Sequence, residues 1–170
     1  MNINPSALSG IRQRPYLILI ILIAIHGGNL LFWHARNDIP FGHDAMEVAG
    51  DAVCWTLYLG KLDQLPDVLH HVFAPGTKTP PAYFWLSDIA SRTVGPGWMA
   101  IHLVPALAFF ILLISVYLLA KHIASQRTGI LAAGIVGFYP AVFGFAHTAN
   151  TSLLAAAFET LAILLILKSK

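Results

Sequence analysis

Pro15 to His34, PYLILIILIAIHGGNLLFWH, decides the fold: it is twenty residues long and holds no Lys, Arg, Asp or Glu. At about 1.5 Å of helix rise per residue, such a run covers roughly the 30 Å of a bilayer's hydrocarbon core. Arg12 and Arg14 stand just before it. A basic start followed by an apolar run also fits a signal peptide, but signal-peptide cores extend for only about 7–15 residues and end at small-residue cleavage sites. Here His26 and Gly27-Gly28-Asn29 lead into further apolar and aromatic residues, with no A-x-A site. The reading is an uncleaved membrane anchor.

The rest of the chain agrees with this. Hydrophobic residues make up 57% and charged residues 11%, with a mean hydropathy of +0.71. A soluble domain carries about 25% charged residues, so this chain could not cover a water-facing surface. The net charge of +2, with histidines neutral, is too weak to suggest a nucleic-acid partner. Cys54 is the single cysteine, which excludes an intramolecular disulfide. No internal repeat is present.

Three further apolar stretches follow: Trp98–Ile123 with Pro105 inside it, Gly129–Phe145 rich in Gly and Ala, and Ser152–Leu167. Small residues in the third suit close packing between membrane helices, and a membrane helix tolerates a proline where neighbours satisfy the freed backbone groups. The expected fold is an all-α polytopic membrane bundle, one domain over residues 1–170, with about four spans at 15–34, 98–123, 129–145 and 152–167.

Residues 35–96 differ in kind. Asp44 stands where the N-cap of a helix over Ala45–Leu59 belongs, and Gly60 ends that helix. A short amphipathic helix is expected from Pro66 to Phe73 and another from Pro81 to Val94, stopped by Gly95-Pro96-Gly97. The segment holds seven acidic and four basic residues. Arg12, Arg14, Lys121, Arg127, Lys168 and Lys170 all fall in the opposite set of connections. The positive-inside bias therefore puts the N-terminus in the cytoplasm and loop 35–96 on the periplasmic or exterior side in a bacterium, or the lumenal side in a eukaryote, with a bacterial plasma membrane as the expected location.

Loop 35–96 also holds the first candidates for chemistry. A carboxylate at the lipid–water boundary can act as general base toward a lipid-linked substrate, and Asp44 has that place. The alternative is a plain capping role, and Glu47 completes a D-x-x-E capping box with it. His43 could bind a phosphate. His43, His70, His71 and Asp44 lack the helical spacing of a metal site, so no cofactor is expected and a divalent cation has no support. Lys78, in GTKTPPAYFWL, either holds a lipid phosphate at the interface or snorkels from an aromatic belt of Tyr83, Phe84 and Trp85. Asp88 and Arg92 stand at i and i+4, which a local ion pair explains. Within the spans, His102 and Glu159 are the ionisable exceptions, and an intramembrane Glu should be satisfied inside a bundle or near water.

The order of these features is similar to the N-terminal part of GT-C membrane glycosyltransferases. An anchor is followed by an Asp, a helix ending in Leu59-Gly60, about twenty residues of loop, and PPAYFWL before the next span. That last stretch looks like the family's K/H-P-P-L-Y-Y-W-L. Tyr117-Leu118-Leu119-Ala120-Lys121, Gly129-Ile130-Leu131-Ala132-Ala133 and Tyr139-Pro140 resemble the helices that follow. The nearest likeness is to protein O-mannosyltransferases and bacterial lipid A aminoarabinose transferases.

By this resemblance, a sugar passes with inversion from a polyprenyl-phosphate donor to a lipid, protein or glycan acceptor on the non-cytoplasmic face. Asp44 takes the place of the catalytic carboxylate, and Lys78 falls near the residue that contacts the lipid phosphate. His43 and Tyr83 join the substrate-binding set. So does His147, which stands where these enzymes often carry Arg. Some positions depart from the family's pattern: Asp44-Ala45 replaces an acidic pair, Thr79 separates Lys78 from the prolines, and HTANTS (residues 147–152) lacks a carboxylate. The resemblance also implies that residues 1–170 are the beginning of a larger module. The alternative reading is a non-catalytic membrane protein, either a degenerate relative or a small subunit. A transporter would want polar residues along several spans, and only His102 and Glu159 offer that.

Overall fold

A computed structural model of the protein describes residues 15–36, 81–95 and 98–169. All six elements in these residues are helices: α1 (Pro15–His34), α2 (Pro81–Val94), α3 (Trp98–Ile123), α4 (Gln126–Phe138), α5 (Pro140–Ala146) and α6 (Ser152–Lys168). The expected helices over Ala45–Leu59 and Pro66–Phe73 lie outside the described residues.

α1 and α3 are each long and apolar enough to cross a membrane unaided. The third expected stretch, Gly129–Phe145, is not one straight span. It begins earlier, at Gln126, and α4 and α5 meet at a 67° bend. Pro140 explains the break, since proline has no N–H to give and disfavours helical geometry in the residue before it. Tyr139 accordingly sits at φ −67°, ψ 121°, closing α4 and opening α5 at once. Taken as one unit, the bent pair makes a third candidate span. α6 is a fourth apolar helix of 17 residues, at the lower limit of about 17 that a bilayer needs.

α3 is the centre of the bundle. α6, α4 and α2 pack most extensively on it, while α1 lies chiefly against α4. The core along α3 comprises Ile101, Val104, Ala108, Phe109, Leu112 and Leu113, met by Leu153, Leu154 and Ala157 of α6. A smaller cluster of Leu19, Leu22, Tyr117 and Ala133 joins α1, α3 and α4 toward the other end. There the helices approach so closely that a Cβ on Gly129 would stand 2.6 Å from the Tyr117 carbonyl oxygen. Only glycine fits at that crossing. The outward surface is strongly apolar, with Ile20, Leu31, Leu131, Ile135 and Ile166 all exposed. In a bilayer, lipid tails cover such side chains at no cost.

α2 turns its polar side inward. Ser87, Asp88 and Ser91 are buried against the bundle, while Trp85 and Ile89 face outward. Asp88 pairs with Arg92 at 2.8 Å, the expected i, i+4 contact. Trp85 is exposed, as an aromatic belt requires, whereas Tyr83 is fully buried and does not fit that reading. Gly95, at φ +92°, ends α2 in the left-handed region that glycine adopts readily.

Tyr83 has a specific task. Its hydroxyl donates to the Ile101 carbonyl at 3.0 Å. Within α3 that carbonyl would accept from the N–H of residue 105, and residue 105 is proline. The phenol of α2 thus supplies the donor that Pro105 lacks. Burial pushes the phenol's pKa up, which keeps the donated proton in place.

Candidate functional site at one end of the bundle

α1, α3, the α4–α5 pair and α6 alternate in direction, so the C-terminal end of α1 meets the start of α3 and the end of α5. Each of these contributes a histidine. His34 is the last residue of α1, His102 is in the second turn of α3, and His147 caps the C-terminus of α5. The Nδ1 atoms of His34 and His102 lie 3.0 Å apart, with ring centroids at 4.7 Å. The His147 ring centre is 6.2 Å from that of His34. Trp33 and Phe143 flank His147 edge-on, at 5.3 and 4.4 Å.

The short Nδ1 contact restricts the protons, because one ring must donate and the other accept. The accepting ring then carries its own proton on Nε2. When the donor ring is neutral, its Nε2 is left as a lone pair. Both Nε2 atoms are buried and meet no hydrogen-bond partner among the described residues. The pair therefore holds one N–H and one acceptor unsatisfied inside the bundle.

His147 is held differently. Its Nδ1 donates to the Phe143 carbonyl at 2.6 Å, and its Nε2 lies 3.0 Å from the Asn29 side-chain oxygen Oδ1 of α1. Both ring nitrogens are engaged and its orientation is fixed. Asn150, just beyond, accepts from the Ser152 backbone N–H at 2.7 Å and so braces the start of α6.

The opposite end has another character. There the Lys121 ammonium donates to the Tyr16 hydroxyl at 3.3 Å and lies over the Tyr16 and Tyr117 rings. Gln126 donates to the Tyr117 hydroxyl at 3.4 Å.

Of the residues singled out from sequence, Asp44, His43 and Lys78 lie outside the described residues. Their tethers are nonetheless at the histidine end. α1 finishes there with Arg36 stacked over Phe32 at 4.5 Å, and α2 is anchored beside His102 through the contact of Tyr83 with Ile101. Asp44 is eight residues beyond Arg36 and Lys78 three before Pro81. At no more than about 3.6 Å per residue, the chain between them keeps Asp44 within roughly 29 Å of Arg36. Tyr83 itself is spent on packing and on the Ile101 carbonyl. His147 is in the site, beside the His34–His102 pair.

Sequence reasoning noted His102 and His147 separately and missed the triad. The available signal was position: His34, His102 and His147 all sit where an alternating bundle turns at one face. Among the described residues, no group of three His, Cys, Asp or Glu side chains has the geometry to hold a metal ion.

Residues 78–169, more than half of the chain, match the family model of dolichyl-phosphate-mannose-protein mannosyltransferases. No curated protein and no solved structure gives a significant match. The matched region runs from Lys78 through α2 to the end of α6 and includes His102 and His147. The chain belongs to the dolichyl-phosphate-mannose-protein mannosyltransferase family, membrane glycosyltransferases of the GT-C type.

Proposed function

We propose that this protein transfers a sugar from a polyprenyl-phosphate donor to an acceptor on the non-cytoplasmic face of a bacterial plasma membrane. The observation that carries the reading is the family match from Lys78 through α2 and the four helices that follow it. The charge pattern supports the sidedness. Lys121, Arg127 and Lys168 fall at the end opposite the histidines, which agrees with the histidine end as the outer one.

Asp44 is the catalytic carboxylate. The acceptor oxygen attacks the anomeric carbon while its proton passes to Asp44. The bond from the anomeric carbon to the phosphate oxygen breaks, and its electron pair leaves with the polyprenyl phosphate. Attack from the side opposite the leaving group inverts the configuration. Lys78, next to the prolines that lead into α2, stabilises the charge that develops on the phosphate, and His43 assists in holding it. His147, fixed by Phe143 and Asn29, lines the substrate site beside the His34–His102 pair. The reaction needs no cofactor.

Purified protein in lipid vesicles, given polyprenyl-phosphate mannose or other polyprenyl-phosphate sugars together with lipid, peptide and glycan acceptors, should release polyprenyl phosphate as sugar is transferred. Lys78→Ala should raise the donor concentration needed for half-maximal rate by about ten-fold, the loss of one charge-assisted contact of roughly 1.4 kcal/mol. A folded protein that turns over none of these donors would instead be a non-catalytic member of the family.

A further inference from the structure

α6 carries a carboxylate on the side away from its own bundle. At about 100° per residue, Leu153, Ala157 and Leu164 share the face that is buried against the core. Glu159 lies on the opposite face with Ser152, Ala155, Ala162, Ile163 and Ile166, all exposed. Among the described residues it has no hydrogen-bond or ion-pair partner.

Its depth matters. Glu159 is seven residues from Ser152 and nine from Lys168, roughly 10 and 13 Å along the axis, so it stands near the middle of the apolar helix. A carboxylate facing lipid at that depth is costly, and such groups face protein or water. Ala155 and Ala162, one turn before and after on the same face, let a second backbone come close. The basic side chains of α6 and its neighbours lie at helix ends: Lys121 and Lys168 at one, Arg36 at the other. Among the described residues, none is near the middle of the bundle.

We propose that this face of α6 docks an apolar transmembrane helix bearing one Lys or Arg at mid-depth, which pairs with Glu159. Charge complementarity selects this occupant. A second copy of the chain, related by a two-fold axis along α6, would set Glu159 against Glu159. The sequence between 37 and 80 holds Lys61 and Lys78 but no apolar run of span length, so the helix comes from outside residues 1–170. The pairing is independent of the transferase reading, because Glu159 is on the outer surface and not at the histidine end.

The test uses the full chain in phosphatidylcholine vesicles with synthetic Leu/Ala transmembrane peptides of about 21 residues, followed by energy transfer. One peptide carries a central Lys and the other a central Leu. The Lys peptide should associate about ten-fold more tightly than the Leu peptide, and Glu159→Leu should abolish that preference. Equal association of the two peptides with the wild type would overturn the proposal, whether or not the variant folds. So would self-association of the wild type that Glu159→Leu abolishes, since a second copy would then be the occupant.

Discussion

Replacing Tyr83 by Phe removes one oxygen and tests the link between α2 and the proline of α3. In the wild type, the Tyr83 hydroxyl reaches the Ile101 carbonyl at 3.0 Å, and both residues are buried. Phenylalanine would leave that carbonyl without a donor, because Pro105 has no N–H. An unsatisfied buried polar group costs about 1–3 kcal/mol. Pro105→Ala restores the missing N–H one helical turn along, at the position from which helix geometry directs it to the same carbonyl. In that background Tyr83→Phe should cost less than about 1 kcal/mol, leaving a coupling of about 1–2 kcal/mol between two residues on different helices. The cycle can be measured by SDS unfolding of the four proteins in micelles, followed by circular dichroism. Additivity within about 0.5 kcal/mol, as for independent sites, would refute the compensation.

Gly129→Ala should destabilise by about 1–3 kcal/mol, since its Cβ would stand 2.6 Å from a backbone oxygen of α3. Gly134→Ala on the same helix has nothing within 4 Å and should be neutral or stabilising by up to about 1 kcal/mol; the same unfolding assay reads both, and equal effects would contradict the close crossing. His34→Phe or His102→Phe alone should cost about 1–3 kcal/mol by stranding the other ring, whereas the double variant should cost less than their sum. Purely additive losses would mean that the two rings are not paired. Alkaline unfolding probes Tyr83 from another side. Its folded pKa is raised above the unfolded value near 10, so the unfolded chain gives up the proton first. Wild-type stability should therefore fall above about pH 10 relative to Tyr83→Phe, and parallel profiles would contradict this.

Much of the helical layout was legible because it follows from apolar run length and turn chemistry. Pro15–His34, Pro81–Val94 and Trp98–Ile123 have the boundaries read from sequence. The bend at Tyr139–Pro140 was also written in the chain, but the apolar count from Gly129 to Phe145 masked it. Hydropathy does not see a missing N–H. Tyr83 was misread for a related reason. Composition suggests an aromatic belt, while its actual partner is a carbonyl 18 residues later in the sequence, orphaned by Pro105. The histidine triad depends on the order in which helices return to one face, which no local pattern encodes. Asp44 and Lys78 were chosen by boundary position and resemblance, and the geometry adds only that both ends of their loop attach beside His34 and His102.

The central claim is that a carboxylate in this loop promotes sugar transfer at the histidine end of the bundle. Measuring the rate of transfer from a saturating polyprenyl-phosphate sugar by the wild type and by Asp44→Asn tests it most directly. Removing a general base lowers such rates by about 100-fold or more. The account predicts a loss of that size, with α-helical content and unfolding midpoint unchanged. Equal rates in the two proteins would take Asp44 out of the reaction and contradict the account.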